Sequence, residues 1–345
     1  MRSPTLDPDA AARVASFGAP TPMRARGLSA VRAGVESAPH PPMPPMARIE
    51  DLIAPGPAGR PIPVRLYRPT TAARSPVLVY FHGGGLVMGS NHSFEPLARE
   101  LAHASGAAVA AVDYRLAPEF PPPAQFDDAY AATEWIAASA GELHLDADRL
   151  AVVGDSAGGS LAAAVTLAAR DHGGPAIAVQ VLLYPGLDRD MGAPSITAMP
   201  DAPMLAHDDI VFMHETVDRG ATPHSAYQVP AYATDVSGLP AAIVVTAECD
   251  PIRDWGERYA GRLRDAGVQT TLTRYPGMYH GFLMRSDGTA RGRLAIAEIG
   301  ALLRAKFVQI ADFTARPDHR TFTASPTAAL PTIDNHITEG ERHAD

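Results

Sequence analysis

The sequence predicts an α/β fold in which a mostly parallel, eight-stranded sheet is flanked by helices. From residue 47 onward, short apolar runs rich in β-formers alternate with longer stretches whose apolar residues have helical spacing. Such alternation is typical of parallel sheets, because parallel strands are joined by crossovers that place a helix on the sheet. With 345 residues, 46% of them hydrophobic, the chain can bury a large core.

Each predicted element follows from its local pattern. The strands are short and apolar, and they cover residues 48–53, 62–67, 76–81, 107–112, 150–153, 179–184, 242–246 and 270–275. The helices are longer and rich in alanine and leucine, and they cover residues 93–105, 124–139, 159–170, 253–266 and 289–307.

Two stretches interrupt the alternation and divide the chain. We predict a core formed by residues 47–185 and 233–310, and a helical cap formed by the proline-rich segment 1–46 and the insertion 186–232. The apolar residues 204–213 of the insertion have partial helical spacing, which fits either a cover over a cleft or an ordinary buried helix. Residues 311–345 have no apolar periodicity, which predicts a flexible tail.

Composition narrows the range of partners. The net charge is −9 and no basic stripe is present, which argues against nucleic acid or an anionic membrane surface as a partner. No apolar stretch approaches the ~18 residues of a membrane span, and the first residues lack the apolar centre of a secretion signal. The single cysteine, Cys249, excludes an internal disulfide. These features predict a cytoplasmic protein without stable membrane association.

The most informative motif is Gly154-Asp155-Ser156-Ala157-Gly158. An apolar strand precedes it and an alanine-rich helix follows it, which is the context of a nucleophile elbow. Small flanking residues are required there because the serine is held in strained backbone geometry. The motif therefore predicts that Ser156 presents its hydroxyl at the carboxyl end of the sheet, where ligands bind in such folds.

A serine nucleophile needs a base and an orienting acid, and in this kind of fold they follow it in the order acid, then histidine. We predict Asp250 as the acid, because it ends a hydrophobic strand. An N-cap role for Asp250 and the rival acids Glu248 and Asp254 remain open. We predict His280 as the base, because it lies in a glycine-flanked loop after the last strand, whereas most other histidines fall beside helices, in the cap or in the tail.

A second motif, His82-Gly83-Gly84-Gly85, directly follows a predicted strand. Consecutive glycines let backbone N–H groups approach a ligand closely, as in the oxyanion loops of lipases and esterases. We predict the N–H groups of Gly83, Gly84 and Ala157 as the donors. His82 and Gly85 are predicted to support the loop.

Together these motifs resemble the bacterial hormone-sensitive-lipase-like esterases of the α/β-hydrolase fold, in the subgroup whose elbow reads Gly-Asp-Ser-Ala-Gly. The resemblance extends over about residues 60 to 305. It is carried by the ordered motifs at residues 82–85, 113–119, 154–159, 250–254 and 280–282.

The resemblance implies a Ser156–His280–Asp250 triad, a covalent acyl-enzyme and hydrolysis of short- to medium-chain acyl esters. It implies a small-molecule ester as the partner, no metal, no organic cofactor, and a homodimer formed through the edge strand at 270–275. The sequence departs from the family around the pocket, at Leu86, Tyr279 and residues 214–215. The predicted substrate contacts are Leu86, Asp155, Leu205, Phe212 and Tyr279.

Two other functions fit the same motifs. A related hydrolase of amides, lactones or carbamates would use the same oxyanion chemistry. A ligand-binding receptor is the alternative from another class, since a fold does not fix a function. Plant gibberellin receptors resemble this family and lack the catalytic histidine, whereas this chain has His280.

Overall fold

The computed structural model describes residues 4–18 and 21–314, and within them it contains one sheet of eight strands. The strands are β1 (Arg48–Pro55), β2 (Pro61–Arg68), β3 (Ser75–Phe81), β4 (Ala108–Val112), β5 (Leu145–Asp155), β6 (Val179–Leu183), β7 (Ala241–Cys249) and β8 (Thr270–Tyr279). Their order across the sheet is β1-β2-β4-β3-β5-β6-β7-β8. β2 runs antiparallel to both of its neighbours and the other pairs are parallel, which confirms the predicted mostly parallel sheet.

Ten α-helices accompany the sheet in this part of the chain. They are α1 (Pro8–Ala15), α2 (Met23–Arg26), α3 (Leu28–Glu36), α4 (Glu95–Ser105), α5 (Ala124–Ala138), α6 (Ala157–His172), α7 (Pro194–Ala198), α8 (His207–Asp218), α9 (Arg253–Asp265) and α10 (Ala290–Thr314). None of the helices within the described ranges is both long and apolar enough to cross a membrane.

The sheet has a hydrophobic core on each face, because successive strand residues point to opposite sides. In β3, Val77, Val79 and Phe81 contribute to one core, and Leu78 and Tyr80 contribute to the other. Residues of α5, α6 and α9 complete the first core, and residues of α1, α4 and α10 complete the second. Helices thus cover both faces of the central strands and leave the strand ends to form a site.

The N-terminal segment and the insertion meet at the carboxyl end of the sheet. The N–H of Met23, at the start of α2, donates to Asp209 Oδ1 on α8 over 2.8 Å. Val31 of α3 shares a third hydrophobic cluster with Ile210 of α8 and Trp255 of α9. These contacts place α2, α3 and α8 together over the core, although no individual helix range is predicted within residues 1–46.

The largest differences from the predicted element boundaries lie in β5, β8 and α10. β5 begins at Leu145 and β8 continues to Tyr279, so both strands are several residues longer than the apolar runs that predicted them. α10 continues to Thr314, beyond the boundary at residue 311 where we predicted a tail. The remainder of that predicted tail lies outside the described residues. β8 forms one edge of the sheet, and pairing of two copies through it stays a prediction.

Candidate active site

Ser156 lies at a sharp turn between β5 and α6. Its backbone has φ +53° and ψ −118°, a strained conformation for any residue other than glycine. Gly154 and Gly158 make the turn sterically feasible: a Cβ on Gly154 would lie 2.0 Å from the carbonyl oxygen of Gly158, and one on Gly158 would lie 2.0 Å from that of Phe81. The N–H of Ser156 donates to the Leu183 carbonyl over 2.8 Å, so β6 helps to hold the turn.

His280 bridges the serine and the acid. His280 Nε2 lies 2.9 Å from Ser156 Oγ, and His280 Nδ1 lies 2.8 Å from Asp250 Oδ2. Asp250 directly follows β7 and His280 directly follows β8, so the ends of adjacent parallel strands bring the two side chains together. The buried carboxylate accepts a hydrogen bond from the Nδ1–H group, which leaves Nε2 unprotonated and able to accept the serine proton. The arrangement is suited to general-base activation of the hydroxyl.

The rival acids have other partners. Glu248 Oε2 accepts the N–H of Gly277 over 2.8 Å. Asp254 accepts the N–H of Ser195 over 2.8 Å and is paired with Arg253. Asp250 Oδ1 also accepts the N–H of Ile252 over 2.9 Å, so the carboxylate supports the start of α9 while its second oxygen faces His280.

The glycine loop after β3 corrects the predicted oxyanion donors. The N–H of Gly83 donates to Asp155 Oδ1 over 2.9 Å, so this N–H is not free for a substrate. Among the described residues, the N–H groups of Gly84, Gly85 and Ala157 have no protein acceptor. Gly84 has φ +104° and Gly85 has φ +63°, values that favour glycine. The free donors are therefore Gly84, Gly85 and Ala157.

His82 packs beneath this loop. Its ring stacks on Tyr114 with centroids 4.4 Å apart, and its Nδ1 lies 2.7 Å from the carbonyl oxygen of Gly83. The Tyr114 hydroxyl donates to the His82 carbonyl over 2.7 Å. Burial lowers the pKa of His82, which favours the neutral imidazole. These contacts fit a residue that supports the loop.

Asp155 does not face the substrate, contrary to the prediction. Its side chain is buried, and Oδ1 accepts hydrogen bonds from the Tyr80 hydroxyl over 2.7 Å and from the Gly83 N–H. Burial raises the pKa of Asp155 to about 6, although both hydrogen bonds act in the opposite direction. Asp155 thus links the serine turn to the glycine loop from below.

A cleft lies over Ser156, with a volume of about 510 Å³ that includes its open mouth. Its walls are largely apolar. Four residues of α8 face it at helical spacing, and they are Ile210, Met213, His214 and Val217. Of the predicted substrate contacts, Leu86 and Leu205 line the cleft.

Two further predicted contacts lie elsewhere. Phe212 is one residue before Met213, and one helical position turns it by about 100° to another side of α8. There its ring packs under the guanidinium of Arg24, 5.4 Å from the ring centroid. Tyr279 is buried in the second sheet core because β8 extends through it.

The cleft also contains Arg189, Gln228 and Trp255, which the sequence pattern did not indicate as site residues. Arg189 and Gln228 line the wall with His214, whose ring stacks on Trp255 at 6.1 Å between centroids. Burial and the charge of Arg189 lower the pKa of His214 to about 3, so its imidazole is neutral near pH 7. The available signal for Arg189 and Trp255 was their place just beyond the ends of β6 and β7.

One group of potential metal ligands exists among the described residues, formed by His40, His92 and Glu95. None of the three lines the cleft over Ser156. The Glu95 carboxylate already accepts a hydrogen bond from Arg99 Nε over 2.7 Å, and Arg65 lies 3.8 Å from its other oxygen. Two guanidinium groups beside the only carboxylate make this group a poor cation site.

Comparison with known proteins places the chain among esterases. Residues 78–284 match the family described as alpha/beta hydrolase fold. The chain is 39% identical over 282 residues to Esterase LipI of Mycobacterium tuberculosis, covering 78% of this chain and 88% of the relative. It is 39% identical over 285 residues to Carboxylesterase NlhH of the same organism, covering 79% of this chain and 89% of the relative.

Solved structures show the same similarity. A hyperthermophilic esterase from the archaeon Pyrobaculum calidifontis superposes with a TM-score of 0.81 and 36% identity, covering 88% of this chain and 99% of that chain. A thermostable esterase from Pseudomonas putida ECU1011 superposes with a TM-score of 0.83 and 31% identity, covering 89% of this chain and 99% of that chain. The finer assignment to the Gly-Asp-Ser-Ala-Gly subgroup stays a prediction.

Proposed function

The chain belongs to the alpha/beta hydrolase family, and we propose that it is a serine carboxylesterase acting on short- to medium-chain acyl esters. The observation that carries this proposal is the pair of contacts made by His280, 2.9 Å to Ser156 Oγ and 2.8 Å to Asp250 Oδ2. The relatives named esterase and carboxylesterase support the choice of esters as substrates.

In the first step, Ser156 Oγ attacks the ester carbonyl carbon while His280 Nε2 takes the hydroxyl proton. Asp250 stabilises the resulting imidazolium and holds its orientation. The carbonyl oxygen becomes an oxyanion within reach of the N–H groups of Gly84, Gly85 and Ala157. Because the backbone of the loop and of the turn after Ser156 fixes these donors, they need no rearrangement as the charge develops.

The tetrahedral intermediate then collapses and the carbon–oxygen bond to the alcohol breaks. His280 returns its proton to the departing alkoxide, which leaves as the alcohol, and the acyl group stays on Ser156. A water molecule gives a proton to His280 and attacks the acyl carbon. The second tetrahedral intermediate releases the carboxylic acid, and the proton returns to Ser156.

The shape of the cleft supports the limit on chain length. The cleft is bounded by side chains of the insertion and of α9. Leu205 and Ile210 from the insertion and Trp255 from α9 form its apolar wall. Such a wall is suited to an acyl chain of a few carbons, and Ile210 on α8 bounds the space for a longer one.

The test is hydrolysis of p-nitrophenyl esters from acetate to palmitate by the purified protein and by Ser156→Ala. We expect activity that falls beyond medium chains and is lost in Ser156→Ala. Ser37→Ala is a matched control, because Ser37 is an exposed serine outside the cleft, and it is expected to keep full activity. Undiminished turnover by Ser156→Ala would contradict the proposal, and equal activity on palmitate would overturn the limit on chain length.

A cytoplasmic location is part of the proposal. The free thiol of Cys249, which is buried, is compatible with a reducing compartment. Burial raises the pKa of this thiol to about 11, so it stays protonated and unreactive near pH 7. Ester hydrolysis recovered in the cytosolic fraction of the producing cell is the expected result, and recovery outside the cell would contradict it.

A further inference from the structure

Beyond the ester bond itself, the cleft contains a charged group that the catalytic steps do not use. We propose that Arg189 makes the protein selective for esters that carry a second oxygen function, a carbonyl or a carboxylate, away from the scissile bond. This inference rests on the proposed esterase function and names its substrate class.

Arg189 is placed to meet a substrate. It follows β6 and lines the same cleft as Ser156. The rest of the wall is mostly apolar, with Leu86, Ile210 and Val217 among its residues. A purely aliphatic ester would be accommodated by such a wall without a guanidinium, whose burial costs free energy unless it is paired.

The Arg189 guanidinium has few partners within the protein. Within the described part of the chain, its one carboxylate contact is with Asp218 of α8, where Nη2 lies 3.4 Å from Oδ1. Its Nε is buried without a hydrogen-bond partner among the described residues. By contrast, Arg115 donates to both oxygens of Asp128 over 2.7 Å. A buried donor left unpaired is unusual, and a ligand acceptor is a physical reason to retain it.

The acidic neighbour of Arg189, Asp188, has other partners in the described part of the chain. Asp188 Oδ1 accepts the backbone N–H of Arg189 over 2.7 Å, and Asp188 Oδ2 lies 3.4 Å from Arg258. His214 is close enough for the charge of Arg189 to lower its pKa, and as a neutral ring it does not repel a bound anion. Gln228 adds an amide to the same wall. The cleft therefore has an apolar part and a polar part.

A substrate oxygen beside Arg189 would form a charge-assisted hydrogen bond in a partly desolvated site. Such bonds discriminate strongly, because an analogue without the oxygen leaves the protein donors unpaired. Both a ketone oxygen and a carboxylate provide this acceptor. Since Asp218 offsets part of the arginine charge, the two acceptors must be compared directly.

The test compares kcat/KM for p-nitrophenyl 4-oxopentanoate, p-nitrophenyl hemisuccinate and p-nitrophenyl pentanoate. A second pair, 3-oxobutyl acetate and butyl acetate, places the oxygen in the alcohol half. In the native protein we expect the oxygenated ester of at least one series to be preferred about tenfold or more. In Arg189→Met that ratio should fall about tenfold. Taking the ratio within each variant cancels a uniform loss of activity.

Three further variants sharpen the result. Arg65→Met removes an arginine that is paired with Asp51 outside the cleft, and it should leave every ratio unchanged. Arg189→Lys keeps the charge without the planar fork and should retain part of the preference. Asp218→Asn removes the carboxylate partner and should raise the preference for the hemisuccinate, which distinguishes a carboxylate acceptor from a ketone.

Two outcomes separate this inference from the proposed function. If all the esters are hydrolysed in a Ser156-dependent way and Arg189→Met keeps the native ratios in both series, the selectivity proposal is overturned alone. If no ester is hydrolysed in a Ser156-dependent way, the esterase function itself is overturned.

Discussion

The carboxylate of Asp155 accepts a hydrogen bond from the N–H of Gly83, with 2.9 Å between Oδ1 and the nitrogen. This contact joins the residue before the nucleophile to the first glycine of the oxyanion loop. The Tyr80 hydroxyl donates to the same oxygen over 2.7 Å. The first glycine of the loop is therefore structural, and the N–H groups of the next two have no acceptor among the described residues.

The first prediction concerns the stability of Asp155→Asn as a function of pH. Burial raises the pKa of Asp155 from 3.8 to about 6 in the folded state, so the folded protein binds this proton more tightly than the unfolded chain. The stability gained from binding this proton is fully present below pH ~4 and is lost as the pH rises through about 6. Asparagine does not titrate.

The free energy of unfolding of the native protein, relative to Asp155→Asn, is therefore expected to fall by about 2 kcal/mol between pH 4 and pH 7. Urea unfolding of both proteins across that range measures the difference. A difference that stays constant, or that grows with pH, would show that the carboxyl pKa is not raised.

The second prediction concerns the oxyanion loop. A Cβ on Gly84 would lie 2.2 Å from the Met88 carbonyl oxygen, so Gly84→Ala must displace the loop. We expect kcat for a short ester to fall about 10²- to 10³-fold, as for loss of an oxyanion donor. Gly106→Ala is the control, because Gly106 also has positive φ, +70°, but a Cβ there would meet nothing within 4 Å.

Gly106→Ala should lose about 1 kcal/mol of stability from backbone strain and keep its kcat. Steady-state kinetics with thermal unfolding of both variants checks this pair. Native kcat in Gly84→Ala would mean that the loop does not supply the donors.

The third prediction separates Asp250 from its rivals. Asp250→Asn keeps an oxygen for the N–H of Ile252, but it no longer stabilises the His280 imidazolium. We expect a fall in kcat of about 10³- to 10⁴-fold with little loss of stability. Glu248→Gln and Asp254→Asn should keep activity within about tenfold, since neither carboxylate contacts His280. If Glu248→Gln or Asp254→Asn lost as much activity as Asp250→Asn, that residue would be the better candidate for the acid of the triad.

The fourth prediction concerns which side of α8 faces the substrate. Met213 lies over the loop, because a Cβ on Gly85 would be 2.1 Å from Met213 Sδ. Met213→Ala should widen the cleft and raise the octanoate-to-butyrate ratio of kcat/KM, at a cost of about 2–5 kcal/mol of stability. Phe212→Ala should leave that ratio unchanged, because Phe212 packs under Arg24 away from the cleft. An equal shift in both variants would contradict this orientation of α8.

The sequence was sufficient to find the three residues that the structure brings together. Ser156, Asp250 and His280 each follow an apolar run, and the ends of neighbouring parallel strands converge at one edge of a sheet. The short motifs around each residue therefore predicted its position in the site. The order of the three residues along the chain predicted which is the nucleophile, which the acid and which the base.

Details of the site that depend on contacts between residues far apart in the chain could not be predicted from the sequence. The Gly83 N–H is occupied because Asp155, 72 residues away, accepts its hydrogen bond, so the sequence wrongly favoured Gly83 over Gly85 as a donor. Which face of α8 meets the cleft depends on how the helix packs over the core, so the sequence pattern wrongly favours Phe212 over Met213 as a cleft residue.

The most direct test of the central claim is mass spectrometry of peptides from the protein quenched during hydrolysis of p-nitrophenyl butyrate. We predict a butyryl group on the peptide that contains Ser156 and its absence in Ser156→Ala. When His280→Ala is acylated with a more reactive butyryl ester, we predict that the butyryl group accumulates, because this variant deacylates slowly. Ester hydrolysis that proceeds with the Ser156 peptide unmodified, or with the acyl group on another residue, would contradict the account.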